Sequence, residues 1–164
     1  MLALKTQLAG SDRVPVLGVC LGAQVLADAL GGSVRRNPER EIGWYPVRKT
    51  EAARHSPLFA DWPDELVVGH WHGDAFVLPA GIEPCLSNDA CTNQAFEVGG
   101  RACGLQFHLE WEPDGLAALV EQCRDELLGG GRWVSSADGL RAGLAAHGDR
   151  CRQALFGLLD RLGA

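Results

Sequence analysis

Two short segments of the sequence carry residue types that could perform covalent chemistry. In the first, Gly18-Val-Cys-Leu-Gly22, a cysteine stands between two glycines, directly after an apolar run and before a helix-favouring segment. A strand, a G-x-C-x-G turn and a helix follow one another in a nucleophile elbow, where small residues two before and two after the nucleophile avoid a steric clash. The macrodipole at a helix N-terminus favours the thiolate, which is the reactive form of cysteine.

The pattern predicts Cys20 as a nucleophile and the backbone N–H of Leu21 as a donor to an oxyanion. A small buried core cysteine is the alternative that this segment leaves open.

The second segment, Gly104–Glu110 (GLQFHLE), could supply a base. In an extended strand, residues two apart project from the same face, so His108 and Glu110 are expected on one side. The carboxylate could then orient the imidazole, which gives the nucleophile, base and orienter of a Cys-His-Glu triad. An ordinary strand end with exposed polar residues is the alternative, because about 88 positions separate Cys20 from His108.

Composition restricts the class of partner and the compartment. The chain has 164 residues and a formal net charge of −6, with a pI near 5.3, which argues against a nucleic-acid or anionic-membrane surface. No apolar run approaches the roughly 18 residues of a membrane helix, and the first residues, MLALKTQLAGSDR, lack the pattern of a signal peptide. The six cysteines show no C-x-x-C pair, so reduced thiols in a cytoplasmic protein are expected.

A third segment, His70-Trp-His-Gly-Asp74, has the H-x-H-x-D spacing of metal hydrolases. Histidines two apart on a strand could converge on a metal ion. The segment lacks the further histidine that such sites usually show, so we expect no metal there. Cys85 and Cys91 lie six positions apart and could form a redox pair, but two ordinary thiols are favoured in a reducing compartment.

The hydrophobic pattern predicts strands mixed with helices. The expected strands are Val14–Val19, 44–47, 65–69, 76–78, 85–87, 95–98 and 102–108; the expected helices are 2–8, 22–30, 113–128 and 137–162, the last with a possible break at one of its glycines. This order indicates an α/β sandwich. No linker divides the chain, so a single domain over residues 1–164 is expected.

The two chemical segments also carry a family resemblance. GVCLGAQ followed by QFHLE resembles the class I (triad-type) glutamine amidotransferases, and EIGWYPV, HWHGDAFVLPAGIEPCLSND and NQAF are similar to their stand-alone, GMP-synthase-like branch. The resemblance covers about residues 13–121. It implies a three-layer sandwich with a mostly parallel sheet of the flavodoxin-like kind.

The resemblance also implies roles for individual residues. Cys20 would be the nucleophile, His108 the general base and then acid, and Glu110 its orienter. Gln24 would help to hold the glutamine substrate, and the backbone of His72-Gly73-Asp74 would contact the amino-acid end of that substrate.

The implied reaction is attack of Cys20 on the glutamine side-chain amide, release of ammonia and hydrolysis of a glutamyl thioester. No metal or organic cofactor is required for this half-reaction. The sequence contains no G-x-x-x-x-G-K-[ST] loop, so the ammonia acceptor would be a separate synthetase subunit. The oligomeric state is left open.

One departure from the family pattern concerns the N-terminus. The family places two strand-helix units before the elbow strand, whereas about 13 residues precede Val14 here. The missing part would include a Gly-rich loop that supplies a second oxyanion donor, and loss of one such donor typically costs on the order of 10²–10³ in turnover. A start codon set too late, a degraded gene and a non-catalytic role are the three explanations. The functional hypotheses are therefore a glutaminase, a γ-glutamyl amide hydrolase with the same triad, and a truncated inactive homologue that acts as a binding module.

Overall fold

The computed structural model describes residues 14–163. The strands are β1 (Val16–Val19), β2 (Ser33–Lys49), β3 (Glu65–Val77), β4 (Leu86–Ser87), β5 (Ala95–Val98) and β6 (Ala102–Leu105). The α-helices are α1 (Leu21–Ala29), α2 (Glu51–His55), α3 (Pro113–Gln122), α4 (Arg124–Leu128) and α5 (Ala137–Gly163), and a 3₁₀ turn spans Pro57–Phe59. The helix expected over residues 2–8 lies outside the described residues. No helix within residues 14–163 is long and apolar enough to cross a membrane.

The six strands form one mixed sheet in the order β1-β6-β5-β4-β2-β3. The strands β1 and β6 are parallel, and the other four neighbouring pairs are antiparallel. The α/β class is confirmed, but the expectation of a mostly parallel sheet does not describe these six strands. One physical reason is local, because β5 returns to β6 through the short turn 99–101, and a short return joins antiparallel neighbours. The strands β2 and β3 are also antiparallel, although their connection, residues 50–64, contains α2 and the 3₁₀ turn.

Helices cover both faces of the sheet. Ala95 and Cys103 pack in one buried cluster with Leu158 of α5, while the adjacent Phe96 and Ala102 pack in another that also contains Leu26 of α1. Since successive side chains of a strand point to opposite faces, α1 and α5 lie on opposite sides of the sheet. This arrangement is the expected three-layer sandwich.

The strands β2 and β3 are longer than the sequence pattern indicates. They pair from Ser33 opposite Val77 to Arg48 opposite Glu65, with an irregularity between Arg36 and Glu41. Most of the charged residues before Glu41 are exposed, so this part of β2 lacks the alternating apolar pattern by which a strand is recognised. The expected strands 44–47, 65–69 and 76–78 are therefore parts of two continuous strands.

Two helices differ from the sequence-based expectation, one at Cys123 and one at Gly143. The expected helix 113–128 is interrupted at Cys123, whose φ of −110° and ψ of 28° separate α3 from α4. The last helix has no break at its glycines, since α5 runs continuously from Ala137 to Gly163. Gly143 lies directly against the ring of Trp44, where a Cβ atom would overlap the indole. The glycine serves close packing of α5 on β2 instead of a turn.

Candidate active site

Cys20 occupies the sharp turn between β1 and α1. Its φ of 49° makes it the one non-glycine residue with a positive φ in the described chain, and such strain is typical of a nucleophile elbow. The Cys20 N–H donates to the carbonyl of Leu105 at 2.7 Å. This bond ties the end of β1 to the end of β6, and it leaves the thiol at the N-terminus of α1.

The two glycines of the elbow differ in what they do. A Cβ atom on Gly18 would lie 2.6 Å from the carbonyl carbon of Gly22, which is a contact that backbone atoms cannot relieve. A Cβ atom on Gly22 would meet no described atom within 4 Å. The prediction that the elbow needs a small residue therefore holds for Gly18. At Gly22 no described residue would clash with an added Cβ atom.

His108 reaches the elbow from a segment just beyond β6. The strand ends at Leu105, earlier than expected, and His108 instead pairs with Gly69 of β3. The His108 N–H donates to the Gly69 carbonyl at 2.7 Å, and the Gly69 N–H donates to the His108 carbonyl at 3.2 Å. These bonds place the imidazole beside the elbow, close enough that Cys20 is one of the groups that raise the pKa of His108. The structure thus brings the two chemical segments of the sequence together.

Glu110 completes the constellation on the far side of the imidazole. Its Oε1 atom lies 2.5 Å from His108 Nδ1, and its Oε2 atom accepts from the backbone N–H of Leu109 at 2.9 Å. The side chains of His108 and Glu110 lie together, as expected, although no regular strand runs through them. The backbone hydrogen bond from Leu109 holds the carboxylate against the ring.

The environment of His108 favours its protonated form. Burial alone would lower the pKa of His108, but the contacts with Cys20 and Glu110 outweigh burial and raise that pKa to about 9. Burial acts on Glu110 in the opposite sense, and the hydrogen bond and charge of His108 nevertheless hold the pKa of Glu110 below its ordinary value. Trp111 stacks on the imidazole with ring centroids 4.9 Å apart and planes 15° apart. The ring is therefore fixed both by hydrogen bonds and by stacking.

Gln24, His72 and Asp74 also converge near the thiol. The side-chain amide of Gln24 donates to the Asp74 carbonyl at 3.1 Å and to Gln106 Oε1 at 3.3 Å, and His72 Nδ1 lies 3.1 Å from the same Asp74 carbonyl. The sequence-predicted substrate-contacting residues therefore form one connected group with Gly73, which lies between His72 and Asp74 on β3.

Sequence reasoning missed Gln106 at this site. Its side chain is fully buried, and its Nε2 atom lies 3.8 Å from Cys20 Sγ. The same sulfur atom lies 3.8 Å from the carbonyl oxygen of Trp71. The signal that could have identified Gln106 is its position two residues before His108.

A second missed residue, Glu41, changes the reading of the H-x-H-x-D segment. One ligand atom from each of Glu41, His70 and His72 lies within 4.8 Å of the others, so these three could hold a metal ion. The Asp74 carboxylate is not a member of this group. Instead, His72 Nε2 contacts Glu41 Oε2 directly at 3.0 Å, so a proton already links the pair. The absence of a bound metal stays a prediction, which metal analysis of the purified protein tests.

The remaining cysteines contrast with Cys20. All six are free thiols, and those at positions 85, 91, 103 and 151 are buried. Burial raises the pKa of Cys85 to about 12 and that of Cys91 to about 11. Buried thiols of this kind are unreactive, which favours the interpretation of Cys85 and Cys91 as ordinary core residues.

Comparison with known proteins identifies the family. Residues 1–121 match the model of the class-I glutamine amidotransferases, and the chain belongs to that family. It is 36% identical over 129 residues to the glutamine amidotransferase-like protein YfeJ of Salmonella typhimurium, covering 77% of this chain and 54% of that protein. It is 40% identical over 107 residues to a glutamine-hydrolysing GMP synthase of Azoarcus, covering 59% of this chain and 20% of that enzyme.

Solved structures agree with this assignment. A glutamine amidotransferase from Thermotoga maritima superposes with a TM-score of 0.77 at 35% sequence identity, covering 97% of this chain and 64% of that one. Among the sequence relatives, the match spans about half the length of YfeJ and a fifth of the length of the GMP synthase.

Proposed function

We propose that this chain carries out the glutaminase half-reaction, in which the side-chain amide of glutamine is hydrolysed to glutamate and ammonia. The observation that carries the proposal is the 2.5 Å contact between His108 and Glu110 next to the strained turn at Cys20, where Cys20 is one of the groups that raise the pKa of His108. A thiol at a helix N-terminus beside a cationic imidazole is the environment that activates cysteine nucleophiles. Family membership adds the substrate class.

The proposed reaction has two chemical stages. Cys20 Sγ attacks the amide carbon of glutamine, and the backbone N–H of Leu21 donates to the oxyanion. His108 gives its proton to the leaving nitrogen, the C–N bond breaks, and ammonia leaves a glutamyl thioester on Cys20. Water then attacks the thioester while His108 accepts its proton, and the C–S bond breaks to release glutamate and restore the thiol.

Each supporting residue has a role that follows from its contacts. Glu110 fixes the tautomer and orientation of His108 and stabilises its positive charge. Gln24 and the His72-Gly73-Asp74 backbone would bind the amino-acid end of glutamine, which would place the amide carbon over the sulfur. No metal or organic cofactor enters these steps.

We further propose that ammonia passes to an acceptor site on a separate polypeptide. The GMP synthase relative supports this, since its matched part is a fifth of that enzyme, and no phosphate-binding G-x-x-x-x-G-K-[ST] loop occurs in this sequence. Glutamate and ammonia should therefore appear in solution in equal amounts when the chain is assayed alone.

The test is glutamate and ammonia release by the purified chain. Cys20→Ala should abolish release, while Cys123→Ala, which changes the other half-buried free thiol, should leave it unchanged. Release that persists in Cys20→Ala would contradict the proposal. Turnover of other γ-glutamyl amides but not of glutamine would show the alternative hydrolase, and folded protein that turns over neither would point to a binding module.

A further inference from the structure

Glu41 is a buried carboxylate that the proposed chemistry does not use. Its side chain is fully shielded from solvent and lies on β2 directly opposite His72 of β3. Burying a charge of this kind is costly unless every lone pair is paired. A buried carboxylate next to the candidate site therefore requires a structural or functional explanation.

The donors around Glu41 fill both of its oxygen atoms. Asn88 Nδ2 donates to Oε1, while Gln94 Nε2 at 2.7 Å and His72 Nε2 at 3.0 Å lie on Oε2. Burial would raise the pKa of Glu41, but the two neighbouring histidines and these hydrogen bonds hold it below its ordinary value. The group is thus an ionised carboxylate that accepts at both ends, and glutamine in its place would turn an N–H₂ group toward a donor on one side or the other.

His72 connects this carboxylate to the substrate-binding side of the site. Its two ring nitrogens face two acceptors, Glu41 Oε2 at 3.0 Å and the Asp74 carbonyl at 3.1 Å. The ring thus lies between the buried carboxylate and the Asp74 backbone, and the two contacts together fix its orientation. A change at Glu41 would disturb one of the two contacts that hold the ring in place. His70 does not take this part, because burial lowers its pKa to about 4 despite the nearby Glu41.

The Asp74 carbonyl carries the connection onward to the thiol. It also accepts from Gln24 at 3.1 Å, Gln24 donates to Gln106 at 3.3 Å, and Gln106 lies 3.8 Å from Cys20 Sγ. Gln94 provides a second connection. Its side chain donates to Glu41, and its backbone carbonyl accepts from the backbone N–H of Gln106 at 2.8 Å. Two routes of contacts thus lead from one buried carboxylate to the residues beside the sulfur.

We propose that Glu41 is a positioning residue, which holds His72 and through it fixes the Asp74 carbonyl and the Gln24 side chain for glutamine binding. This inference rests on the proposed glutaminase function, and it predicts an effect on substrate binding and not on the intrinsic reactivity of the thiol. It adds to the three triad residues a buried carboxylate that decides how the substrate is positioned.

The first test separates substrate binding from thiol reactivity in Glu41→Gln. We expect KM for glutamine to rise at least about tenfold with a much smaller change in kcat, since loss of a charged hydrogen bond has about this magnitude. Alkylation of Cys20 by iodoacetamide, which needs no glutamine site, should stay within about twofold of the wild-type rate. Glu65→Gln is the matched control, because it makes the same change on β3 at an exposed residue.

The second test does not require turnover. In a Cys20→Ser background, the Kd for glutamine measured by calorimetry should rise about tenfold on adding Glu41→Gln, and Glu41→Asp, which keeps the charge, should fall in between. Unchanged KM and Kd in Glu41→Gln would overturn the inference while leaving the glutaminase proposal intact. Equal losses of alkylation and turnover would also overturn it, because they indicate general disruption of the fold. If Glu41→Gln does not fold, the intermediate effect of Glu41→Asp on Kd decides the matter.

Absent turnover in the wild-type chain would instead count against the proposed function. Glutamine binding that still depends on Glu41 in the Cys20→Ser background would then support the positioning role, and glutamine binding that is independent of Glu41 would overturn it.

Discussion

Cys20 differs from the four buried thiols of this chain in backbone, burial and neighbours. It combines a strained elbow conformation with a position beside His108, whose pKa it helps to raise, whereas Cys85 and Cys151 are buried thiols whose pKa is raised to about 12. A reactive cysteine requires a stabilised thiolate and access to its substrate. Among the thiols, Cys20 is therefore the position at which we expect reactivity.

The raised pKa of His108 makes stability depend on pH. Because the folded-state pKa of about 9 exceeds the ordinary value near 6.5, protonation of His108 stabilises the fold fully below about pH 6.5, and this contribution is lost as the pH rises through about 9. We expect the difference in unfolding free energy between wild type and His108→Asn to shrink by on the order of 3 kcal/mol from pH 6.5 to above pH 9. Urea titrations at several pH values measure it, and a pH-independent difference would show that the imidazole is not held as a cation.

At the scale of elements, the site depends on how closely β1, α1 and β6 approach one another. The register of β1 on β6 sets Val19 opposite Leu105, and Cys20 is bonded to the end of β6. The elbow glycines offer a matched pair of variants for testing this packing.

Gly18→Ala and Gly22→Ala should have opposite effects. The added methyl group at position 18 would press on the backbone of Gly22, so we expect a loss of about 1–3 kcal/mol in unfolding free energy from overpacking, and at least a tenfold loss of activity. The same change at position 22 lies within α1 in open space, so it should be neutral or stabilise by up to about 1 kcal/mol. Thermal or urea unfolding and the ammonia assay give both quantities. Equal effects at the two positions would contradict the packing described for the elbow.

The elements also show how far the sequence alone could lead. It predicted the elbow, α1 and β5 closely, because their apolar periodicity and glycines are local signals. It could not show that His108 meets Cys20, since that contact depends on the β1–β6 register and on the bridge from His108 to Gly69. Glu41 and Gln106 escaped for the same reason, because their burial follows from tertiary packing and not from any pattern of neighbours in the sequence.

At the scale of the whole molecule, α5 closes one face of the sheet and stabilises the strands that bear the site. Trp44 of β2 packs at Gly143, donates to the Leu140 carbonyl at 2.9 Å and contacts Trp111, with ring centroids 5.6 Å apart. Since Trp111 in turn stacks on His108, the packing of the last helix and the position of His108 are connected through two indoles.

Gly143→Ala should therefore weaken both stability and activity. Its methyl group would overlap the Trp44 ring, and we expect a loss of about 1–3 kcal/mol from overpacking together with reduced turnover. Gly157→Ala in the same helix meets only the end of the Arg161 side chain, at 3.4 Å, and should be neutral or slightly stabilising. Chemical unfolding followed by tryptophan fluorescence compares the two. If Gly143→Ala is as stable and active as Gly157→Ala, the indole connection does not support the site.

The most direct test of Cys20 as the nucleophile is covalent labelling by an electrophilic analogue of glutamine, followed by peptide mapping. We expect one label per chain, on Cys20, with protection by added glutamine and loss of labelling in Cys20→Ala. Labelling of a different residue, or a folded chain that forms glutamate from glutamine while Cys20 stays unmodified, would contradict it.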